Sequence, residues 1–419
     1  MNEAFPGREQ PWTVGPEPLT VADRWVRWTF PLGPSPAGGI DTETITLGVE
    51  EEFLVVDRFS GALIPGADRL LPHARESLGK DVASELNLCQ IEVGTPVCTT
   101  LAEVRTELVR LRRGLGIAAS QVDTGVVAVG THPSGRWQDQ KVDMANERYR
   151  RMEEAYRIIA RQQVICGCHV HVGIDDADLA VAIMNRVRPW LSVLLALSAN
   201  SPFWQGLDTG YASYRLQVWQ RWPTAGMPPR LESDAEFRDL VDQLQAIDAI
   251  EDPTFLYWYV RPSIRWPTLE FRACDVCLAV DDTVAVAGLV RALAWTCARE
   301  AIDDAPEHSP RPEVMEAAMW RAARYGLSGR LVSPTTLATR SAHAVVGELL
   351  AYVREGLEFH GDWFEVSNLV AAILASGDGA SRQRAAFSRH HDPRDVIDYA
   401  MDATLGSVGD LAAYPGPGW

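Results

Sequence analysis

Four apolar, strand-like runs in this chain carry charged or imidazole side chains where strands ordinarily disfavour them. "LGVEEEFLVV" (47–56) holds Glu50, Glu51 and Glu52, and "ELNLCQIEVGTP" (85–96) holds Glu85, Gln90 and Glu92. "CGCHVHVGI" (166–174) holds His169 and His171, and "SIRWPTLEFRACDVC" (263–277) holds Glu270 and Arg272. Successive side chains of a strand point to opposite faces. Glu51 therefore shares a face with Leu47, Val49, Phe53 and Val55, and Glu50 shares the other with Glu52. By the same alternation His169 and His171 oppose Cys166 and Cys168, while Glu270 and Arg272 oppose Leu269 and Phe271. Glu85 and Glu92 are seven apart, so an unbroken strand would send them to opposite faces; a bulge or a strand start must intervene if both serve one site. Each run alone reads as a solvated sheet face. Together they point to one shared polar sheet surface.

Several carboxylates with an imidazole suit Mg²⁺ or Mn²⁺ better than Zn²⁺. A sheet holding two or more such ions is a setting for ATP phosphates, with Arg272 placed to stabilise transferring phosphoryl oxygens. The sequence has neither G-x-x-x-x-G-K-[ST] nor G-x-G-x-x-G. A bound nucleotide would therefore be held by neither the P-loop nor the dinucleotide fold.

A formal net charge of −17 argues against a nucleic-acid partner, which needs a surplus of Lys and Arg. Seven cysteines, an odd number, suggest reduced thiols and a cytoplasmic protein. No basic-then-apolar leader opens the sequence, and no apolar run approaches the ~20 residues of a membrane span. "WLSVLLALSA" (190–199) reads as core.

Residues 1–43 are rich in proline and glycine and form an extension, whose Trp12, Trp25 and Trp28 suggest docking on the body or on a second subunit. Residues 44–419 read as a single catalytic domain. Strands are expected at 45–56, 85–93, 124–131, 164–173 and 262–272. Helices are expected at 101–118, 145–163, 178–199, 234–248, 282–302, 312–324, 341–356 and 381–402. Thr100 and Glu103 stand at capping-box spacing for the first of these helices. Strands early and helices late favour an α+β fold.

The blocks "TLGVEEEF", "ELNLCQIEVGTP", "NERYRRM", "CGCHVHVGI", "LSANSPFWQGLDTGYASYRLQVWQRWPTAG", "TLEFRACDVC" and "GDGASRQR" occur in this order between about 44 and 390. With them the chain resembles the carboxylate–amine ligases related to type 2 glutamate–cysteine ligases. That resemblance implies a glutamine-synthetase-like fold, a curved, mainly antiparallel sheet forming a funnel backed by helices. It implies ATP, two or more Mg²⁺ (or Mn²⁺) ions, and small carboxylate and amine substrates, with glutamate and cysteine as the family's default pair. The implied chemistry activates the carboxylate as an acyl phosphate, which the amine attacks to give an amide, ADP and phosphate. Metal ligands would be Glu50, Glu52, Glu85, Glu92, His169 and Glu270, with Arg272 and Glu52 catalytic and Arg272 on the γ-phosphate. Arg150, Arg215 and His171 would hold substrate, and Arg382 and Arg384 would reach nucleotide phosphates. A homo-oligomer, with a dimer favoured, is the expected assembly.

The residues by themselves leave three other readings open. These are a metal-dependent hydrolase built on the HxH strand, a phosphotransferase on the same sheet, and a non-catalytic binding protein. A structural zinc on Cys166, Cys168, Cys274 and Cys277 is disfavoured, because C-x-C with C-x-x-C is poor ribbon spacing and small buried hydrophobes explain these residues as well.

Overall fold

The acidic run forms the spine of the sheet. In the computed structural model, which describes residues 45–406, β1 (Leu47–Asp57) pairs antiparallel with three strands. They are β3 (Gln90–Gly94), β4 (Thr124–Val127) and β5 (Cys168–Gly173). Beyond them lie β2 (Val82–Ser84), paired with β3, and the hairpin of β6 (Val260–Pro262) and β7 (Thr268–Phe271), whose β7 pairs with β5. The order of the seven-stranded sheet is β2-β3-β1-β5-β7-β6, with β4 also on β1, and every pairing is antiparallel. Helices dominate the rest, so the fold is α+β, as expected. The N-terminal extension with its three tryptophans lies outside the described residues.

Two expected strands are not continuous. The 85–93 run is two strands, and residues 85–89 turn between β2 and β3, with Gln90 N donating to Asn87 O at 2.9 Å. The 262–272 run is a hairpin broken ahead of Pro267, which has no N–H for a ladder. The 164–173 strand begins at Cys168, because the chain at Gly167 crosses to bridge Asp275. Long helices also divide. The 145–163 segment breaks at Arg157 (φ 50°), and 178–199 breaks at residues 188–190, which include Pro189. Three further helices, Ala67–Leu78, Tyr214–Trp219 and Trp363–Ser376, lie outside the expected spans; Pro72 inside the first argues against a helix when read from sequence alone.

Behind the sheet pack α1 (Leu101–Gln121) and, labelled here α4, Val280–Ile302. The capping box starts α1: Glu103 N donates to Thr100 Oγ1 at 3.1 Å and Thr100 N to Glu103 Oε2 at 3.2 Å. The long apolar stretch Ala177–Ser198 is mostly buried in this layer, which identifies it as core.

Glu51 shows why the register holds. It points backward, fully buried, and Arg112 of α1 grips it with two bonds of 2.8 and 2.6 Å while Thr283 of α4 donates a third at 2.6 Å. A buried carboxylate is costly unless paired and fully hydrogen-bonded. A one-residue slip of β1 would strand that charge and turn Glu50 and Glu52 inward.

The cysteines correct one expectation. Cys166 and Cys168 are both buried, but in different core clusters, since Cys166 precedes the strand. Cys274 likewise packs in the core beyond the end of β7 and does not face the site.

Candidate active site

The antiparallel register sets the polar residues side by side. Glu50 of β1 lies opposite His169 of β5, and Glu52 opposite Glu92 of β3. His171 lies opposite Glu270 of β7, which lies opposite Arg261 of β6. His169 Nδ1 is 3.2 Å from Glu50 Oε2, and its Nε2 is 3.9 Å from Glu52 Oε1. His171 Nε2 is 3.4 Å from Glu50 Oε1, and its Nδ1 is 3.0 Å from Thr268 Oγ1. The 85–89 turn resolves the spacing of Glu85 and Glu92. Glu85 directly follows β2 and returns to the same acidic group, close enough for its charge to raise both Glu92 and Glu52.

Electrostatics divide the group in two. Burial, then the charge of Glu85, pushes Glu52 up to about 8. Burial, then Glu50, Glu85 and Glu52, holds Glu92 well above the ordinary carboxylate range. Burial also raises Glu85, only partly offset by the Leu86 N–H and by Arg148. On the other side, burial opposes charge on Glu50 and Glu270 but is outweighed. His169 and His171 hold Glu50 well below its ordinary value, and Arg261 and Arg272 do the same for Glu270. Burial, then Arg272, lowers His169 to about 4, so its imidazole is neutral near pH 7.

The arginines fall in different places. Arg272 is buried, pairs with Glu270, and lies 5.3 Å from the Trp219 ring centre. Arg215, on α3 (Tyr214–Trp219), lies on the same ring at 5.3 Å and donates toward Arg272 O at 3.3 Å. A side chain at position 167 would meet the Arg215 guanidinium at 2.2 Å, so Gly167 makes room for it. Arg150, on α2 (Glu147–Tyr156), instead pairs with Glu147 and Glu154 on the surface. The neighbour whose charge reaches Glu85 is Arg148. Arg382 pairs with Asp282, and Arg384 with Asp208. Neither adjoins the carboxylate group: the 377–384 segment supports the loop at Asn200, where Gln383 donates to Asn200 O at 2.8 Å. Sequence reasoning passed over Arg261, whose Nε donates to Glu270 Oε2 at 2.8 Å. Its only signal was a position two residues before the "SIRWP" turn.

The donor set fits divalent cations. Glu50, His169 and Glu270 present ligand atoms within 4.8 Å of one another, and so do Glu52, Glu92 and His169. A neutral imidazole has one lone pair and so serves one ion. His169 Nδ1 meets Glu50, whereas its buried Nε2 has no hydrogen-bond partner. An Nδ1–H donated to Glu50 would leave Nε2 to ligate an ion beside Glu52 and Glu92. The crowded, raised carboxylates of that second trio are what a cation would relieve.

This gives a pH signature. Between 4.5 and about 8 the folded protein keeps the Glu52 proton that the unfolded chain has lost, so stability falls as pH rises, by about 1.4 kcal/mol per unit for one group. The lowered His169 acts oppositely, but only between about 4 and 6.5. The chelator-treated protein should therefore lose melting temperature between pH 6.5 and 8, and Mg²⁺ should abolish that loss by taking the proton's place. Identical melting profiles with chelator and with Mg²⁺ would count against a cation at Glu52 and Glu92.

The comparisons agree with one another. The sequence profile described as "Glutamate-cysteine ligase family 2(GCS2)" matches residues 46–399. A Rhodopirellula baltica protein named "Putative glutamate--cysteine ligase 2" is 41% identical over 344 residues, covering 81% of this chain and 92% of its own. A Frankia alni protein named "Putative glutamate--cysteine ligase 2-2" is 42% identical over 373 residues, covering 86% and 97%. Among solved structures, the glutamate–cysteine ligase of Francisella tularensis in complex with AMP superposes with a TM-score of 0.66 at 13% identity, over 87% of this chain and 89% of that one. A bifunctional glutathione synthetase from Pasteurella multocida gives 0.65 at 16%, over 87% and 52%. At such identities the structures speak for the fold, which is the glutamine-synthetase-like architecture expected from the motifs.

Proposed function

The chain belongs to glutamate–cysteine ligase family 2, and we propose that it is an ATP-dependent ligase joining a small carboxylate to an amine. The observation that carries this reading is the pair of donor trios sharing His169, with Arg272 at their edge. A carboxylate is a poor electrophile, and phosphorylation turns one of its oxygens into a leaving group. In the proposed sequence the carboxylate oxygen attacks the γ-phosphorus of ATP and ADP departs. The amine nitrogen then attacks the acyl carbon, phosphate leaves, and a proton is lost from nitrogen.

Mg²⁺ held by Glu50, Glu52, Glu85, Glu92, His169 and Glu270 would offset the repulsion between ATP and the incoming carboxylate. The chain's own contributions are positional. Glu270 clamps Arg272 and Arg261 together. Arg272, buried and fixed on the Trp219 face, is placed to meet charge developing on the transferred phosphoryl oxygens. Arg215, beside it, adds positive potential toward Glu52. Glutamate and cysteine are the first substrates to try, on the strength of the relatives' names.

ADP release measured across carboxylic acids and amines, with products identified by mass spectrometry, tests the proposal. Release should require Mg²⁺ or Mn²⁺ together with a particular acid, and an amide should accumulate. Turnover without nucleotide would reject the ligase reading in favour of a hydrolase. A stable phosphorylated product with no amide would make the enzyme a phosphotransferase.

A further inference from the structure

Behind the site stands a buried carboxylate that belongs to neither donor trio. Asp275 lies beyond the end of β7, fully buried, where the chain at Gly167 bridges to it. Three donors hold it: Asn200 N at 2.8 Å and Ser201 Oγ at 2.7 Å on Oδ2, and Ser213 Oγ at 2.8 Å on Oδ1. Ser201 Oγ already accepts from Arg215 N at 2.9 Å, so its own hydrogen goes to Asp275. Every one of these partners donates, which is the pattern an ionised carboxylate takes.

Arg215 stands between this carboxylate and Glu52. Its Nη1 is 3.8 Å from Asp275 Oδ1. Its bonds to Arg272 O and Ala273 O are long, 3.3 and 3.4 Å, and its buried Nε has no partner. On the other side Gly167 touches both groups. Gly167 N donates to Glu52 Oε2 at 2.6 Å, and the place a side chain at 167 would fill is 2.2 Å from Arg215 Nη2. Burial raises both Asp275 and Glu52 in pKa, and the Arg215 charge offsets part of the rise at each. A loosely bonded, buried guanidinium between two carboxylates pairs with whichever one holds it.

We propose that Asp275 is a positioning residue, which anchors Arg215 on the wall of the site and keeps its guanidinium from closing on Glu52 in a cation's place. Arg215 on Glu52 would be a salt bridge in the metal's stead, with the carboxylate oxygens spent on N–H groups. Asp275, fixed by three donors, is a rigid anchor, whereas Glu52 has one donor, Gly167 N, and keeps an oxygen for an ion. The role rests on the cation reading of Glu52 and Glu92 and extends it to a residue outside both trios. It does not depend on which acid and amine are joined.

The test is Mg²⁺-dependent melting of the full chain, without nucleotide or substrate, in wild type, Asp275→Asn, Arg215→Met and the double variant. Asparagine keeps the shape, still accepts from Asn200 N and Ser201 Oγ, and donates its amide to Ser213 Oγ, so the fold should hold. It leaves Arg215 without its anchor. The Mg²⁺ concentration for half-maximal stabilisation should rise about 10-fold in Asp275→Asn. In the Arg215→Met background the same substitution should change it by less than about 2-fold, since no guanidinium remains to close on Glu52. The double variant removes both members of a buried pair and so should fold. Ser213→Ala, which takes one donor from Asp275 Oδ1, should shift the midpoint the same way by about 2-fold, and it replaces Asp275→Asn if that variant does not fold. An Asp275→Asn variant that answers Mg²⁺ like wild type, or equal weakening in both backgrounds, would overturn the positioning role and leave the cation site standing. No Mg²⁺ stabilisation of wild type would remove the cation site and this role together. ADP release is a separate measurement, and its absence beside an intact Mg²⁺ cycle would sink the ligase reading alone.

Discussion

Alanine in place of His169 should cut Mg²⁺-dependent ADP release by more than about 10²-fold while lowering the melting temperature by only a few degrees. His169 is the one residue common to both donor trios, so its loss removes a ligand from one and a hydrogen bond to Glu50 from the other. Its neutral imidazole carries no charge that the fold must neutralise, and a vacated ring costs mainly packing. The contrasting variant is Cys166→Ser with Cys168→Ser. Both thiols sit in apolar cores where burial pushes them far above their ordinary range, so they are inert. Two buried hydroxyls there should cost about 1–3 kcal/mol each, a larger drop in melting temperature, yet leave turnover measurable. The comparison is of initial rates and melting curves on the same preparations. An active His169 variant beside a folded but inactive cysteine variant would place the chemistry behind the sheet.

What the sequence disclosed followed from alternation. Because β1 and β5 are regular, counting by twos from Glu50 and His169 assigns the correct face to Glu52 and His171, and sends Glu51 to Arg112. Alternation fails where the chain leaves the strand. Glu85 lies just beyond β2, and Cys166 just before β5, so parity could not place either one. The arginines were harder still. Arg148 and Arg150 are two apart on α2, about 200° around the helix, so which one faces the sheet depends on how α2 docks. The motif contains both, and the structure turns Arg148 inward.

Arg272→Lys and Glu92→Gln should separate catalysis from metal binding. Lysine keeps the charge at 272 but not the planar fork, so it cannot both lie on the Trp219 ring and hold Glu270 while offering further N–H groups outward. The rate should fall about 10²-fold or more with nucleotide affinity nearly kept, because the lost interaction forms only as charge develops. Glu92 is the opposite case. Without a cation its crowded carboxyl holds a proton, so glutamine imitates the resting form, and the metal-free variant should melt at the wild-type temperature or above it. The amide has no charge to give, so the stabilisation by Mg²⁺ should shrink and the metal concentration for half-maximal rate should rise. Titrating Mg²⁺ in both assays, rate and melting, distinguishes the two effects within one experiment. Near-normal behaviour of both variants would move the chemistry off this face of the sheet, since no other described surface brings two such donor trios against a buried arginine.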